Sequence, residues 1–198
     1  MTDPAFPSVA GRHDIYPGHT LAEITTPDGL RAVFTVEYDS DASPPWEDDG
    51  HGPVSDWETR PKRAGELILH ANRSARRYYD FAEACRIALA DGWGYDGKSA
   101  AEHVAAGLTR RQVAANAARA DFAALRAWCR DDWYYAGVVV TISDAEEDVE
   151  LASASIWRVD VNYPGSDNAY IDEIAADVLA DALHDARARR ARIAARAA

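Results

Sequence analysis

Apolar positions along this chain repeat with two different spacings, and the spacing changes at turn-forming residues. In residues 31–38, Ala32, Phe34, Val36 and Tyr38 fall on one face and Arg31, Thr35 and Glu37 on the other, with Val33 the exception. A period of two predicts a strand with one buried face. Residues 20–26 precede it across Pro27-Asp28-Gly29, a turn composition that predicts an antiparallel hairpin. Residues 66–70 read as a short strand. Gly137-Val138-Val139-Val140-Thr141-Ile142 predicts a strand over 136–142. Residues 154–162 alternate Ile156, Arg158, Asp160 and Asn162 against Trp157, Val159 and Val161, so these two strands are expected to pair antiparallel across the acidic connection 143–148.

Elsewhere the spacing is helical. Phe81, Ala84, Cys85, Ala88 and Leu89 predict a helix over 79–90, and Ser99 is expected to cap a short one closed by Gly107. Thr109 followed by Gln112 has the capping-box spacing and predicts a long helix to about residue 130. Ile171, Ile174, Ala175, Val178, Leu179, Ala182 and Leu183 form the stripe of a last helix, capped by Ser166 or Asp167. The order β, β, loop, β, α, α, α, β, β, α implies an α+β fold. Its sheet is expected to be mainly antiparallel with helices packed on one face. At 198 residues the chain reads as a single domain, 1–198. Within it, residues 1–18 are an irregular arm, 39–65 a long ordered loop and 187–198 a basic helical tail.

Composition narrows the class. No apolar run reaches membrane-spanning length, and the N-terminal residues lack the basic and apolar segments of a signal peptide. Cys85 and Cys129 sit in helical segments and read as buried free thiols, which points to a reducing, cytoplasmic setting. The net charge of −12 is unevenly distributed: residues 132–181 hold twelve acids against Arg158 alone, and 182–198 hold five arginines against Asp185. Such a field disfavours direct nucleic-acid binding and favours a basic protein partner, although acids also serve solubility alone. Asp144, Glu146, Glu147, Asp148 and Glu150 lie on a hairpin connection, and Asp172, Glu173, Asp177 and Asp181 on the polar side of the last helix. Facing the same way, they would form one extended acidic contact surface.

Residues 44–57 contain the densest candidate chemistry: Trp46, Asp48, Asp49, His51, Asp56 and Trp57 among Gly and Pro breakers. A loop with two indoles is either pinned to the body or built to touch a partner, and Trp46 or Trp57 is expected to be buried as the pin. His51 with the three aspartates offers a metal or acid–base cluster, but the spacing matches no standard ligand pattern. Gly50 and Gly52 favour a turn in which the imidazole bonds backbone. No metal, cofactor or catalytic residue is assigned. Arg73, Arg76, Arg77, Tyr78 and Tyr79 pair cations with rings as single-strand binders do. The competing reading is that these arginines neutralise the acidic loop inside the fold.

The ordered strings Pro45-Trp46-Glu47, Asp49-Gly50-His51-Gly52-Pro53-Val54-Ser55-Asp56-Trp57, Arg60-Pro61-Lys62-Arg63-Ala64-Gly65-Glu66, Arg77-Tyr78-Tyr79-Asp80, Asp91-Gly92-Trp93-Gly94 and Asp131-Asp132-Trp133-Tyr134-Tyr135-Ala136-Gly137-Val138-Val139-Val140 resemble a group of uncharacterised proteins of tailed bacteriophages and prophages. The resemblance spans roughly residues 44–183, with Ala64 where the group's pattern has proline. The group has no established activity, so no site residue carries over. The resemblance implies a bacterial host cytoplasm and an accessory role, exercised by binding a host or phage macromolecule. Inhibition of a host defence through nucleic-acid-like charge is one form of that role. The alternatives from other classes are a small metal-dependent enzyme using Asp48 and His51, and a nucleic-acid binder using residues 73–79.

Overall fold

The computed structural model describes residues 4–95 and 97–197, with the side chains of 97–100 and 197 excepted. Where one domain was expected, the chain divides into two compact units, Met1–Ala42 with Trp133–Ala198, and Ser43–Asp132. The fold is α+β.

In the first unit, β1 (His19–Thr25), β2 (Leu30–Tyr38), β5 (Tyr134–Asp144) and β6 (Glu150–Val161) form one antiparallel sheet in the order β1-β2-β5-β6. Both expected hairpins are present, and pairing of β2 with β5, from Leu30↔Asp144 to Tyr38↔Ala136, joins them. The alternating residues Leu30, Ala32, Phe34 and Val36 are buried, as are Ala136, Val138, Val140 and Ile142 beside them. One helix, α4 (Tyr170–Ala197), lies on this face and buries Ile171, Ala175, Val178, Leu179, Ala182, Leu183 and Ala186. Each large aliphatic there contributes about 2 kcal/mol. Ser166 and Asp167 shape the turn before α4, their side chains accepting from the N–H groups of Asn168 and Ala169.

Two of the expected segments pack more closely than the sequence alone indicated. The basic tail is continuous with α4, and its first arginines are part of the packing. Arg187 and Arg190 both bond Asp28 at the β1–β2 turn, and Arg189 donates to the Leu151 carbonyl at 3.0 Å. Hydrogen bonds from Arg187 hold the Asp28 carboxyl far below its usual range. The N-terminal arm has no regular structure, as expected, yet it buries Val9 and Ile15. Its order comes from side-chain amides. Asn168, fully buried, donates to the Arg12 carbonyl at 2.6 Å and to Asn162 Oδ1 at 3.1 Å, and accepts the Asn162 N–H at 3.0 Å. Asn162 and the Tyr134 hydroxyl both donate to the Ile15 carbonyl.

Along β6 the register passes from Val159↔Ala136 to Ile156↔Val138, so Trp157 and Arg158 together oppose Gly137. This bulge places Arg158 at φ 63° and lays the Trp157 ring over Gly137, where a Cβ would sit 2.6 Å from it. Glycine is therefore required by close approach.

The second unit holds β3 (Glu66–Ala71), β4 (Arg76–Asp80), α1 (Phe81–Asp91), α2 (Gly97–Ala105) and α3 (Arg110–Trp128). α1 and α3 pack together and against β3 around Leu69, Tyr79, Ala84, Ala118 and Leu125. The Thr109–Gln112 capping box is formed. α2 begins two residues before Ser99, so Ser99 is not its cap; the Ser99 side chain lies outside those described. β4 is a strand where the apolar spacing suggested a helix start at 79. It turns directly into α1, with Asp80 accepting from the Glu83 N–H as the cap.

Candidate functional site

Within the loop 39–65, the stretch 53–58 is ordered by the second unit's hairpin. Residues 53–58 run beside β4, with backbone bonds from Ser55 N–H to the Tyr78 carbonyl, from Glu58 N–H to the Arg76 carbonyl, and from Asp80 N–H to the Pro53 carbonyl. Ser55 Oγ accepts the Tyr78 N–H at 3.0 Å, filling the ladder where the loop strand is irregular.

His51 does not bond backbone, as the glycines suggested, nor does it join three carboxylates. Its Nδ1 meets Asp121 Oδ1 at 2.6 Å, and Asp121 comes from α3. Asp121 Oδ2 accepts the Gly52 N–H at 2.8 Å and the Tyr79 hydroxyl at 2.7 Å. The Tyr79 phenol also lies 3.2 Å from the Ala118 carbonyl; burial and then the Asp121 carboxylate hold its pKa far above the ordinary value. A Cβ on Gly52 would fall 2.5 Å from that hydroxyl, which is why the loop needs glycine there. Chemically, the arrangement orients an imidazole on a carboxylate, and the same carboxylate ties loop, strand and helix together. Among the described residues no group of three or more His, Cys, Asp or Glu side chains is placed to hold a metal ion. Asp49 and Asp56 are exposed.

The tryptophans pin the loop differently from expectation. Trp46 is half-buried, edge-on to Trp128 at 5.2 Å, while Trp57 is 40% exposed. The Arg77 guanidinium lies 5.2 Å from the Trp46 ring and 5.4 Å from the Trp57 ring, so a cation bridges both indoles. Its role is therefore cation–π contact rather than neutralisation of the loop acids. Tyr78 and Tyr79 are buried and present no free ring face for base stacking; Arg73 and Arg76 are exposed. Both thiols are free and half-buried, and burial pushes Cys129 up to about 11.

The ion pair that does neutralise the loop starts from Arg60, which bonds both Glu58 and Glu66. Arg60, together with the Arg63 N–H, holds Glu66 down at about 2. A depressed carboxylate stabilises the fold above its unfolded pKa, and that contribution disappears as pH falls from about 4.5 toward 2. Denaturation midpoints taken across this window should drop in the wild type and drop less in Glu66→Gln. Equal slopes in the two proteins would show that the pair does not set acid sensitivity.

In the first unit the acidic positions separate into two sets. The hairpin set lies at the β1–β2 end of the sheet, since Ala145 N–H bonds the Gly29 carbonyl. Asp144 caps its own turn by accepting from Glu146 and Glu147 N–H, and Asp148 pairs with Arg31. Asp172, by contrast, accepts from Ser8 and the Val9 N–H. Asp172 and Arg187 are separated by roughly 22 Å of helix, and Arg187 is the residue that reaches the hairpin end. Asp172 therefore lies at the end of α4 away from the hairpin connection, and Asp181 nearer to it. Glu146, Glu147, Glu150, Glu173, Asp177 and Asp181 are exposed.

The residue missed from sequence was Asp121. It stands three positions after Ala118 and four before Leu125, on the buried stripe of α3, and a carboxylate on such a stripe signals buried donors. Among the described residues no helix is long and apolar enough to cross a membrane. Comparison with known protein families, with curated proteins and with solved structures returns no match.

Proposed function

We propose that this chain is an accessory protein of a tailed phage that works in the bacterial cytoplasm by binding a protein with a basic surface, and that it is not an enzyme. Antagonism of a host defence is the form of that role which suits its charge. The observation that carries the reading is the exposure of Glu146, Glu147 and Glu150 at one end of the first unit and of Glu173, Asp177 and Asp181 along its helix. The carboxylate that orients His51 through Oδ1 is also a structural tie, its Oδ2 accepting the Gly52 N–H and the Tyr79 hydroxyl.

Association steered by such charges weakens with salt, because exposed charges are screened over about 8 Å at physiological ionic strength. A partner recovered from infected cells and identified by mass spectrometry should be basic. Its affinity should fall with added salt, and by about tenfold in Glu146→Lys/Glu147→Lys/Glu150→Lys or in Glu173→Lys/Asp177→Lys/Asp181→Lys. Partner binding unchanged in both variants and insensitive to salt would reject the reading. Tight binding of the wild type to DNA would favour the arginine-bearing segment 73–79 instead.

A further inference from the structure

One helix is too narrow to cover a four-stranded sheet. Four strands about 4.8 Å apart occupy roughly 19 Å of width, while a helix with its side chains is about 10–12 Å across. α4 packs on β5 and β6. The β1–β2 half of the same face is left to the N-terminal arm, whose Phe6 ring meets the Phe34 ring of β2 at 5.4 Å. Arm and helix do not close on each other. Between them lies a cleft of about 350 Å³, floored by the buried side chains of Phe34, Leu179 and Leu183. The helix leaves this room because its flank carries only Ala176 and Ala180 there. Both alanines are exposed, so the cleft opens to solvent beside them.

The cleft has one polar end, formed by Ser8 and Asp172; its other lining residues are apolar. Asp172 accepts the Ser8 hydroxyl on Oδ2 and the Val9 N–H on Oδ1. A carboxylate has about four lone-pair sites, so acceptor capacity remains. Among the described residues no Arg, Lys or His lines the cleft, and Asp172 carries its one charge. The lining positions on α4 run from Asp172 to Leu183, roughly 16 Å along the axis, which makes the cleft long rather than round. An apolar cavity of about 150 Å³ holds a benzene ring, and ligand sites ordinarily begin near 300 Å³. This cleft therefore has room for a ring with a short carbon chain.

We infer that the cleft binds a small cationic amphiphile, a primary amine whose ammonium group meets Asp172 and whose apolar body lies along Leu179 and Leu183 against Phe34. Anionic amphiphiles are rejected by the same residue, since their charge would face Asp172 with no cation to offset it. A neutral compound of the same shape gains the apolar burial but lacks the charge-assisted hydrogen bond. The cleft uses none of the exposed acids on which the basic-partner reading stands, so the two can fail separately.

Three probes with one phenylbutyl body test this by calorimetric titration of the full chain at neutral pH. 4-Phenylbutylamine should bind, 4-phenylbutanol should bind about tenfold more weakly, and 4-phenylbutyrate should not bind measurably. The amide signals of Phe34, Ala176, Ala180 and Leu183 should shift with the amine. Asp172→Asn should remove the preference for amine over alcohol. Ala176→Leu/Ala180→Leu fills the cleft from exposed helical positions where leucine is a good helix former, and should abolish binding at an unchanged Tm. Equal affinity for amine and butyrate, an amine preference that survives Asp172→Asn, or amine binding that survives Ala176→Leu/Ala180→Leu overturns the inference. So does a failure of all three probes to bind. Binding that appears only after removal of residues 1–3 would make the chain's own end the occupant and overturn it as well.

Discussion

Asp121→Ala is expected to lower the stability of the Ser43–Asp132 unit by about 3 kcal/mol, read as a fall in the chemical-denaturation midpoint. The alanine leaves three donors without their acceptor: the His51 ring, the Gly52 N–H and the Tyr79 hydroxyl. An unsatisfied buried donor costs about 1–3 kcal/mol. The sum falls short of three full penalties for two reasons. Tyr79 keeps the Ala118 carbonyl, and the His51 side chain is 21% exposed and can turn to water. Asp121→Asn tests the account further, since one of its two positions donates rather than accepts, and it should lose roughly half as much. Trp46 emission should shift to the red in the alanine variant as the loop loosens. A midpoint equal to that of the wild type would show that the hub does not hold residues 44–57.

In the first unit, Asn168→Ala is expected to cost about 3 kcal/mol and to expose the N-terminal arm to protease. Two effects combine. The amide's bonds to Arg12 and Asn162 are lost from a fully buried position, and alanine must adopt φ 61°, which costs about 1 kcal/mol more than asparagine there. Asn168→Gly separates the terms, because it relieves the backbone but restores no hydrogen bond. If glycine rescues all of the loss, the backbone conformation is the whole effect and the amide network none of it.

Legibility from sequence followed the range of the forces involved. Strand pairing across 27–29 and across 143–148 was readable because period-two burial and local turns specify it. The Thr109–Gln112 box was readable because capping is local. β4 was misread because its consecutive tyrosines point to opposite faces and both are buried, Tyr79 against Phe122 and Tyr78 beneath Arg60, which leaves no alternation in a five-residue strand. The partner of His51 lies 70 positions away on another element, and no spacing rule spans that gap. The end of α4 that meets the β1–β2 turn was hidden likewise, since it rests on Arg187 reaching Asp28 across 159 positions.

The register of β2 against β5 has a consequence for how the chain is assembled. Tyr38 and Ala136 are paired, and the Asp39 N–H bonds the Tyr135 carbonyl, so the chain leaves the first unit and re-enters it at adjacent points. Ser43–Asp132 is thus an insertion at what would otherwise be a hairpin turn, and without it β1, β2, β5 and β6 would form a simple meander followed by one helix. Closing a flexible loop of about 90 residues costs roughly 3 kcal/mol more than closing a four-residue turn. An insert that folds first, with its ends already near each other, removes most of that difference. The four-stranded sheet is therefore expected to complete its folding only after the tryptophan-bearing unit has formed.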